Sequence, residues 1–220
     1  MSNSSKDIYI PEIEDLHRMK KQEIEKFSEC ATLAYKEYPL FKYLTNGRFE
    51  HNVIKTIISA SIKGMQKDVI GVSLKDNDNA IALFLPPDYK GSSAIPFLIG
   101  GGLKFLCITP IVIFARLLRY ENYAMALKKK YTKHKCWYLY NVTVKPEYQN
   151  NGMSSKLLKP MFKYLDRIGQ DCYLETHKEE NVKIYEHYGF ELLETSKIPK
   201  TEIVQYSMLR KAKKMEEENE

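Results

Sequence analysis

The stretch from Cys136 to Gly169, CWYLYNVTVKPEYQNNGMSSKLLKPMFKYLDRIG, reads as a strand, a turn and a helix in succession. Its first part is rich in β-branched and aromatic side chains, which favours a strand that ends before Pro146. A polar turn from Glu147 to Gly152 follows. Apolar side chains at a spacing of three or four residues then predict a helix from about Met153 to Ile168. Gly169 is suited to cap that helix at its C-terminus.

Strands and helices continue to alternate towards the C-terminus. Residues Cys172–Thr176 predict a strand, and Thr176 followed by Glu179 fits a capping box that opens a helix ending at Gly189. The segments 190–193 and 203–209 predict two more strands. This order of elements is typical of an α/β (α+β) fold, in which a central sheet is flanked by helices.

The first half of the chain predicts helices and then a hairpin. Apolar residues between Ile13 and Tyr38 recur at roughly helical spacing, PLFKYL (39–44) forms a short helix, and a third helix runs from Phe49 to Met65. The β-rich segments 68–74 and 80–85 enclose turn-forming residues, so we expect them to pair as a hairpin. A further helix is expected at 111–131.

Composition and charge exclude several classes of protein. The chain has 220 residues, of which 44% are hydrophobic, so it can bury a full core and does not resemble a disordered protein. Its 34 Lys and Arg against 28 Asp and Glu give a mild, dispersed positive charge, which suits an anionic small ligand better than nucleic acid. The cysteines show neither metal-ligand nor disulfide spacing, and no signal peptide is visible, so we expect a metal-free, cytoplasmic protein.

Residues 92–115 are apolar enough to raise the question of a membrane. Lys104 is the one charge among them, and their number would suffice for a transmembrane helix. However, Pro96, Pro110 and three consecutive glycines interrupt the stretch. We therefore expect a helical insertion, 92–131, that covers the cleft of a single domain spanning residues 1–210. The charged tail at 211–220 is expected to be disordered.

The turn from Gln149 to Ser155 has the features of an anion-binding site. The first amide N–H groups of a helix have no partner within the helix and carry partial positive charge. Gly152 allows the backbone to approach a ligand closely, and Asn150 and Asn151 tolerate left-handed backbone conformations. Such a turn alone is also compatible with a simple connection.

Two motifs resemble those of the GNAT superfamily of N-acetyltransferases. The pattern Val142-x-Val144-x-Pro146-x-x-Gln149-x-x-Gly152-x-Ser154 resembles motif A of that superfamily, and Asn181-Val-Lys-Ile-Tyr185-Glu-His-Tyr-Gly189-Phe190 resembles its motif B. From 135 to 190 the sequence is similar, more narrowly, to the branch that includes puromycin N-acetyltransferase. The resemblance implies a mixed, mostly antiparallel central sheet flanked by helices, with acetyl-CoA as the cosubstrate.

The resemblance also implies roles for individual residues. The backbone of Val142, Thr143 and Val144 would pair with the pantetheine arm of coenzyme A, as an added β-strand does. Asn181 and Tyr185 are four residues apart and share one helix face, so Asn181 would hold the arm and Tyr185 would lie beside the sulfur. The pyrophosphate would be held by the turn, which comprises Gln149, Asn150, Asn151, Gly152, Met153, Ser154 and Ser155. This turn departs from the family pattern, which has Gly and a basic residue where Asn150 and Asn151 stand, and Gly or Ala where Ser154 stands.

Amide formation from a thioester requires a base and an acid. A primary amine has a pKa near ~10.4, so it is mostly protonated at pH 7 and must lose a proton before it attacks. Tyr185 is the predicted acid for the departing thiolate. The base stays open between Glu175 and His134. Cys136 and Cys172 are expected to be inert, and Tyr140 and Asn141 are candidates to line the acceptor cleft, although packing explains Tyr140 equally well.

Two functions of different class follow from the sequence. The leading hypothesis is an N-acetyltransferase that transfers an acetyl group from acetyl-CoA to the amine of a small-molecule acceptor, by direct attack in a ternary complex. The alternative is a non-catalytic acyl-CoA-binding module, associated with a membrane through 92–115. Asn181 and Tyr185 favour the enzyme, because a binding module needs no acid at the sulfur. The acceptor stays open among drugs, polyamines, amino-acid derivatives and peptide amines, and a homodimer is compatible with the sequence.

Overall fold

A single sheet of seven strands forms the centre of the described structure. The computed structural model describes residues 13, 15–65, 68–75, 77–89, 111–132 and 136–213. The strands are β1 (Leu16–Arg18), β2 (Ile70–Leu74), β3 (Asn77–Leu85), β4 (Trp137–Val144), β5 (Cys172–Thr176), β6 (Phe190–Lys197) and β7 (Val204–Arg210). Their order is β1-β2-β3-β4-β5-β7-β6, and β4 and β5 are the parallel pair among otherwise antiparallel neighbours. The predicted mixed, mostly antiparallel sheet is confirmed.

Helices cover both faces of this sheet. They are α1 (Ile24–Ala34), α2 (Pro39–Leu44), α3 (His51–Gly64), α4 (Ile111–Tyr131), α5 (Met153–Arg167) and α6 (Glu179–His187), with 3-10 turns at Lys21–Glu23 and Pro146–Tyr148. Alternate residues of β3 serve the two faces, as the period of a strand requires. Ala80, Ala82 and Phe84 pack with α5, whereas Ile81 and Leu83 pack with α1, α3 and α4.

A gap between β4 and β5 sets the position of the candidate site. The two strands pair at Trp137 with Cys172 and at Tyr138 with Tyr173. Beyond these positions β4 continues to pair with β3 up to Val144, whereas the register with β5 stops. Among the described residues, the edge of β4 that faces β5 is therefore left without a neighbouring strand after Tyr138.

Most predicted elements are confirmed, but the start of the first helix is wrong. α1 begins at Ile24, whereas helical spacing placed the start at Ile13. The residues before it form β1, in which Leu16 is buried opposite Leu74, and the Met19 amide donates a hydrogen bond of 2.8 Å to the Gly71 carbonyl. An apolar residue every third or fourth position satisfies a strand of three residues as well as a helix, so the periodicity was not decisive here.

The predicted capping box at Thr176 is also wrong. Glu179 is the first residue of α6, and Lys178 occupies the N-cap position. Thr176 remains in β5, where its hydroxyl accepts a hydrogen bond of 2.9 Å from the Asn181 side chain instead of capping the helix. The end of the helix is as expected, since Gly189 follows with a left-handed φ of 89°.

Several expectations fall outside the described residues. These are the first part of the insertion (92–110), His134 in the segment 133–135, and the tail from 214 onwards. Residues 111–131 of the expected insertion do form the helix α4. Within the described part of the chain, none of the helices has the length and apolar character needed to span a membrane.

Candidate active site

Two adjoining cavities lie beside the open edge of β4. The first, which we call the turn cavity, has a volume of about 410 Å³ and is lined by the end of β4, the following turn and α6. The second, the tyrosine cavity, has a volume of about 110 Å³ and lies between β4, β5 and the helices α1 to α4. Five residues line both cavities, so the two spaces adjoin there: Tyr35, Tyr38, Val142, Asn181 and Tyr185.

The turn after β4 has the geometry expected of an anion site. Asn150 and Gly152 have left-handed φ values of 63° and 69°, and the Gln149 side-chain amide donates a hydrogen bond of 3.1 Å to the Val144 carbonyl. Gly152 is the N-cap of α5, and no side chain caps the helix, so its first N–H groups are available to a ligand. A Cβ built on Gly152 meets no atom within 4 Å, which shows open space at this point. These features fit the diphosphate of a coenzyme.

Most residues predicted to bind the coenzyme line the turn cavity. They are Val142, Thr143, Val144, Gln149, Asn150, Gly152, Met153, Ser154, Asn181 and Tyr185. Two are not among its lining residues. Asn151 is exposed, and Ser155 lines a separate hollow with Lys156 and Lys159.

Asn181 and Tyr185 share one face of α6, as their spacing predicts. The hydrogen bond from Asn181 to Thr176 ties this face to the end of β5. The Tyr185 ring packs against Phe190, with 5.7 Å between ring centroids. Burial raises the pKa of the Tyr185 hydroxyl, so this group keeps its proton at neutral pH. It can therefore donate a hydrogen bond or a proton.

Glu175 lies in the tyrosine cavity, on β5. Its Oε1 accepts a hydrogen bond from the Tyr138 hydroxyl, whereas its Oε2 is buried and has no partner among the described residues. Burial raises the pKa of Glu175 to about 8, and the nearby Glu121 carboxylate adds to this shift, while the Tyr138 hydrogen bond and the Lys128 ammonium oppose it. A carboxylate with such a pKa is suited to accept a proton near neutral pH.

Three residues of the tyrosine cavity were not foreseen from the sequence. Glu121, on α4, is 3.5 Å from the Tyr140 hydroxyl, and burial raises its pKa to about 7. His177 is buried beside Tyr38, whose hydroxyl lies 3.3 Å from the imidazole Nδ1. Burial lowers the pKa of His177 to about 4, so the ring is neutral at pH 7. The signal for Glu121 was present, because it lies four residues after Leu117 and three before Ala124, on the buried face of its helix.

The remaining candidates take the places that were expected as alternatives. Cys136 and Cys172 are buried and line neither cavity, and burial raises the pKa of both thiols. Trp137 is 1% exposed and belongs to the core beneath α5. Tyr140 and Asn141 do line the tyrosine cavity. In the described part of the chain, no group of three or more His, Cys, Asp and Glu side chains could hold a metal ion.

The motif-bearing part of the chain can now be compared with known proteins. Residues 110–192 match the family model of the acetyltransferase (GNAT) domain. This part of the chain is a GNAT acetyltransferase domain. An uncharacterized N-acetyltransferase of Schizosaccharomyces pombe is 43% identical over 54 residues, which are 24% of this chain and 22% of that relative. The similarity thus spans about a fifth of the relative's length.

The whole GNAT-like fold recurs among solved structures. A protein of Corynebacterium glutamicum described as histone acetyltransferase HPA2 and related acetyltransferase has a TM-score of 0.59 at 16% identity, over 91% of this chain and 97% of that one. Arylalkylamine N-acetyltransferase 2 of Aedes aegypti has a TM-score of 0.59 at 14% identity, over 90% and 98%. At these identities the likeness concerns the fold. With the family match and the relative, it supports an N-acetyltransferase. The narrower resemblance to the puromycin branch stays a prediction.

Proposed function

We propose that this protein transfers the acetyl group of acetyl-CoA to the amine of a small-molecule acceptor, by direct attack within a ternary complex. The observation that carries the proposal is the junction of the two cavities at Val142, Asn181 and Tyr185. On one side lie the turn and the open strand edge that suit coenzyme A. On the other side lies a carboxylate, Glu175, with an unpartnered oxygen.

Binding of the coenzyme would use mainly the backbone. The edge of β4 at Val142 to Val144 has no strand beside it towards β5, so it can pair with the amides of a pantetheine arm. The free N–H groups at the start of α5 suit the pyrophosphate. Because these donors are backbone groups, the asparagines at 150 and 151 do not remove them.

Glu175 is the proposed base. Its carboxylate takes a proton from the acceptor ammonium, directly or through a water molecule. The neutral nitrogen forms the new C–N bond at the thioester carbonyl. His134, the other candidate from the sequence, lies outside the described residues. The raised pKa of Glu175 brings it closer to that of an amine, which makes the proton transfer less unfavourable.

Tyr185 is the proposed acid. When the C–S bond breaks, the electron pair stays on sulfur, and the Tyr185 hydroxyl supplies the proton that converts the thiolate to a thiol. Its raised pKa means that the proton is held until negative charge develops on the sulfur. The tyrosine therefore acts mainly in the transition state.

The direct test is acetyl transfer to a panel of amines. The panel should contain an arylalkylamine, a peptide with N-terminal alanine, a histone-tail peptide, a polyamine and puromycin, with release of coenzyme A and the mass of the product as readouts. We expect acetylation of a small-molecule member. The alternative, a non-catalytic acyl-CoA-binding module, predicts tight binding of acetyl-CoA without transfer to any member, and this result would overturn the proposal.

A further inference from the structure

The polar groups left without partners in the tyrosine cavity call for a donor. Glu175 Oε2 and Asn141 Oδ1 are buried and have no hydrogen-bond partner among the described residues, and Asn141 is only 8% exposed. Both atoms are acceptors. Glu121 receives one long hydrogen bond, of 3.5 Å, from Tyr140. The described lining residues of this cavity include neither Lys nor Arg, so none of them can neutralise the two carboxylates by direct contact.

Such an arrangement is costly unless a cation completes it. A buried carboxylate without a partner loses its hydration, and two carboxylates in one cavity also repel each other. The nearest buried ammonium, Lys128, does not line the cavity, and its Nζ lies 4.9 Å from the centroid of the Tyr138 ring. A ligand ammonium offers three N–H donors and a positive charge. It could therefore satisfy several of these acceptors together.

The rest of the cavity has a different character. Its far wall is formed by apolar side chains of α2, α3 and α4: Leu40, Phe41, Leu44, Ile57, Ile58 and Leu117. Tyrosine rings complete the lining, and their faces attract cations as well as aromatic groups. A second ammonium reaching the apolar wall would lose its hydration without gaining a partner.

We propose that Glu121 determines acceptor specificity, and that the acceptor is a monoamine with an apolar carbon body. The ammonium is held by Glu121, Glu175 and the Asn141 carbonyl oxygen, while the body lies against the wall from α2, α3 and α4. This inference rests on the proposed function and names its substrate class. It disfavours polyamines and peptides with charged side chains.

The test is equilibrium binding to the coenzyme A-bound protein, which requires no turnover. The probes are 2-phenylethylamine, hexylamine, spermidine and the uncharged isostere 2-phenylethanol. The wild-type protein should bind the two monoamines roughly tenfold or more tightly than spermidine, because spermidine brings additional charges to the apolar wall. This comparison needs no variant and is informative even if a variant fails to fold.

The role of Glu121 is tested by Glu121→Gln, with Glu191→Gln on the exposed face of β6 as a matched control. Glu121→Gln should weaken 2-phenylethylamine binding by roughly tenfold or more, as removal of one partner from a buried charge pair does. It should change 2-phenylethanol binding less than about twofold, and coenzyme A binding should be unchanged. Glu191→Gln should match the wild type.

Two results would overturn the inference while leaving the proposed function intact. One is tighter binding of spermidine than of the monoamines. The other is equal loss of the amine and the alcohol in Glu121→Gln, which would indicate a packing role. Conversely, the expected binding pattern without acetylation of any amine would contradict the proposed function and retain the assignment of the cavity.

Discussion

The Tyr185 hydroxyl belongs to a side chain that lines both cavities, so its removal tests the chemistry at a single atom. Tyr185→Phe keeps the ring and its contact with Phe190. We expect kcat to fall by roughly 100-fold, the lower end of general-acid contributions, and KM for acetyl-CoA to change only a few-fold. Steady-state and single-turnover kinetics measure both. A variant that retains more than about half of kcat, with chemistry rate-limiting, would leave Tyr185 a packing role only.

Glu175 predicts the direction of the pH dependence. The base must be ionised, and burial raises its pKa to about 8, so kcat/KM should rise with pH and level off above about 8. In Glu175→Gln this ascending limb should disappear and the rate should fall. Tyr185→Phe serves as the control, because it should be slow and keep the limb. The same limb in Glu175→Gln would assign it to another group, such as Glu121.

The same carboxyl makes a prediction about stability. Its pKa is raised in the folded state from an ordinary value of 4.5 to about 8, so the folded protein binds more protons than the unfolded chain between these pH values. The free energy of unfolding should therefore decrease as pH rises through this window. Denaturant unfolding should show a smaller decrease in Glu175→Gln than in the wild type. An equal decrease in both would mean that Glu175 is not perturbed.

The sequence identified residues where a motif fixes their spacing. Asn181 and Tyr185 were expected on one helix face, and they lie there. Glu121 was missed because it stands in a helix without a motif, where a carboxylate on the buried face looks like a break in the pattern. His177 was missed for a related reason, since its burial depends on Tyr38, which is distant in the sequence.

The turn between β4 and α5 can be tested with two glycines of the same helix. Gly152 precedes α5 and Gly169 follows it, both have left-handed φ, and a Cβ at either meets no atom within 4 Å. Gly152→Val and Gly169→Val should each cost about 1–2 kcal/mol of stability from backbone strain. Calorimetry should show coenzyme A affinity reduced by about tenfold or more in Gly152→Val only. Equal affinity in the two folded variants would show that the turn does not hold the coenzyme.

At the scale of elements, the strands and helices with strong local signals were predictable and their first residues were not. β5 and α2 have the expected bounds. β1 was hidden, because three residues form a strand only through pairing with β2, which the local sequence does not encode. The start of α6 shifted because the Thr176 hydroxyl accepts from Asn181 rather than from the helix backbone.

For the molecule as a whole, the two cavities on either side of one junction predict the kinetic order. Both substrates can be bound together, because the coenzyme side and the acceptor side have separate linings apart from the shared residues. Cys30, Cys136 and Cys172 are buried, and burial raises the pKa of each thiol, so none of these three is an activated nucleophile. Transfer should therefore proceed without an acetyl-enzyme intermediate. Two-substrate initial velocities should give intersecting lines in double-reciprocal plots, and intact-mass spectrometry with acetyl-CoA alone should show no added acetyl group. Parallel lines, together with an acetylated cysteine, would replace direct attack by a two-step mechanism.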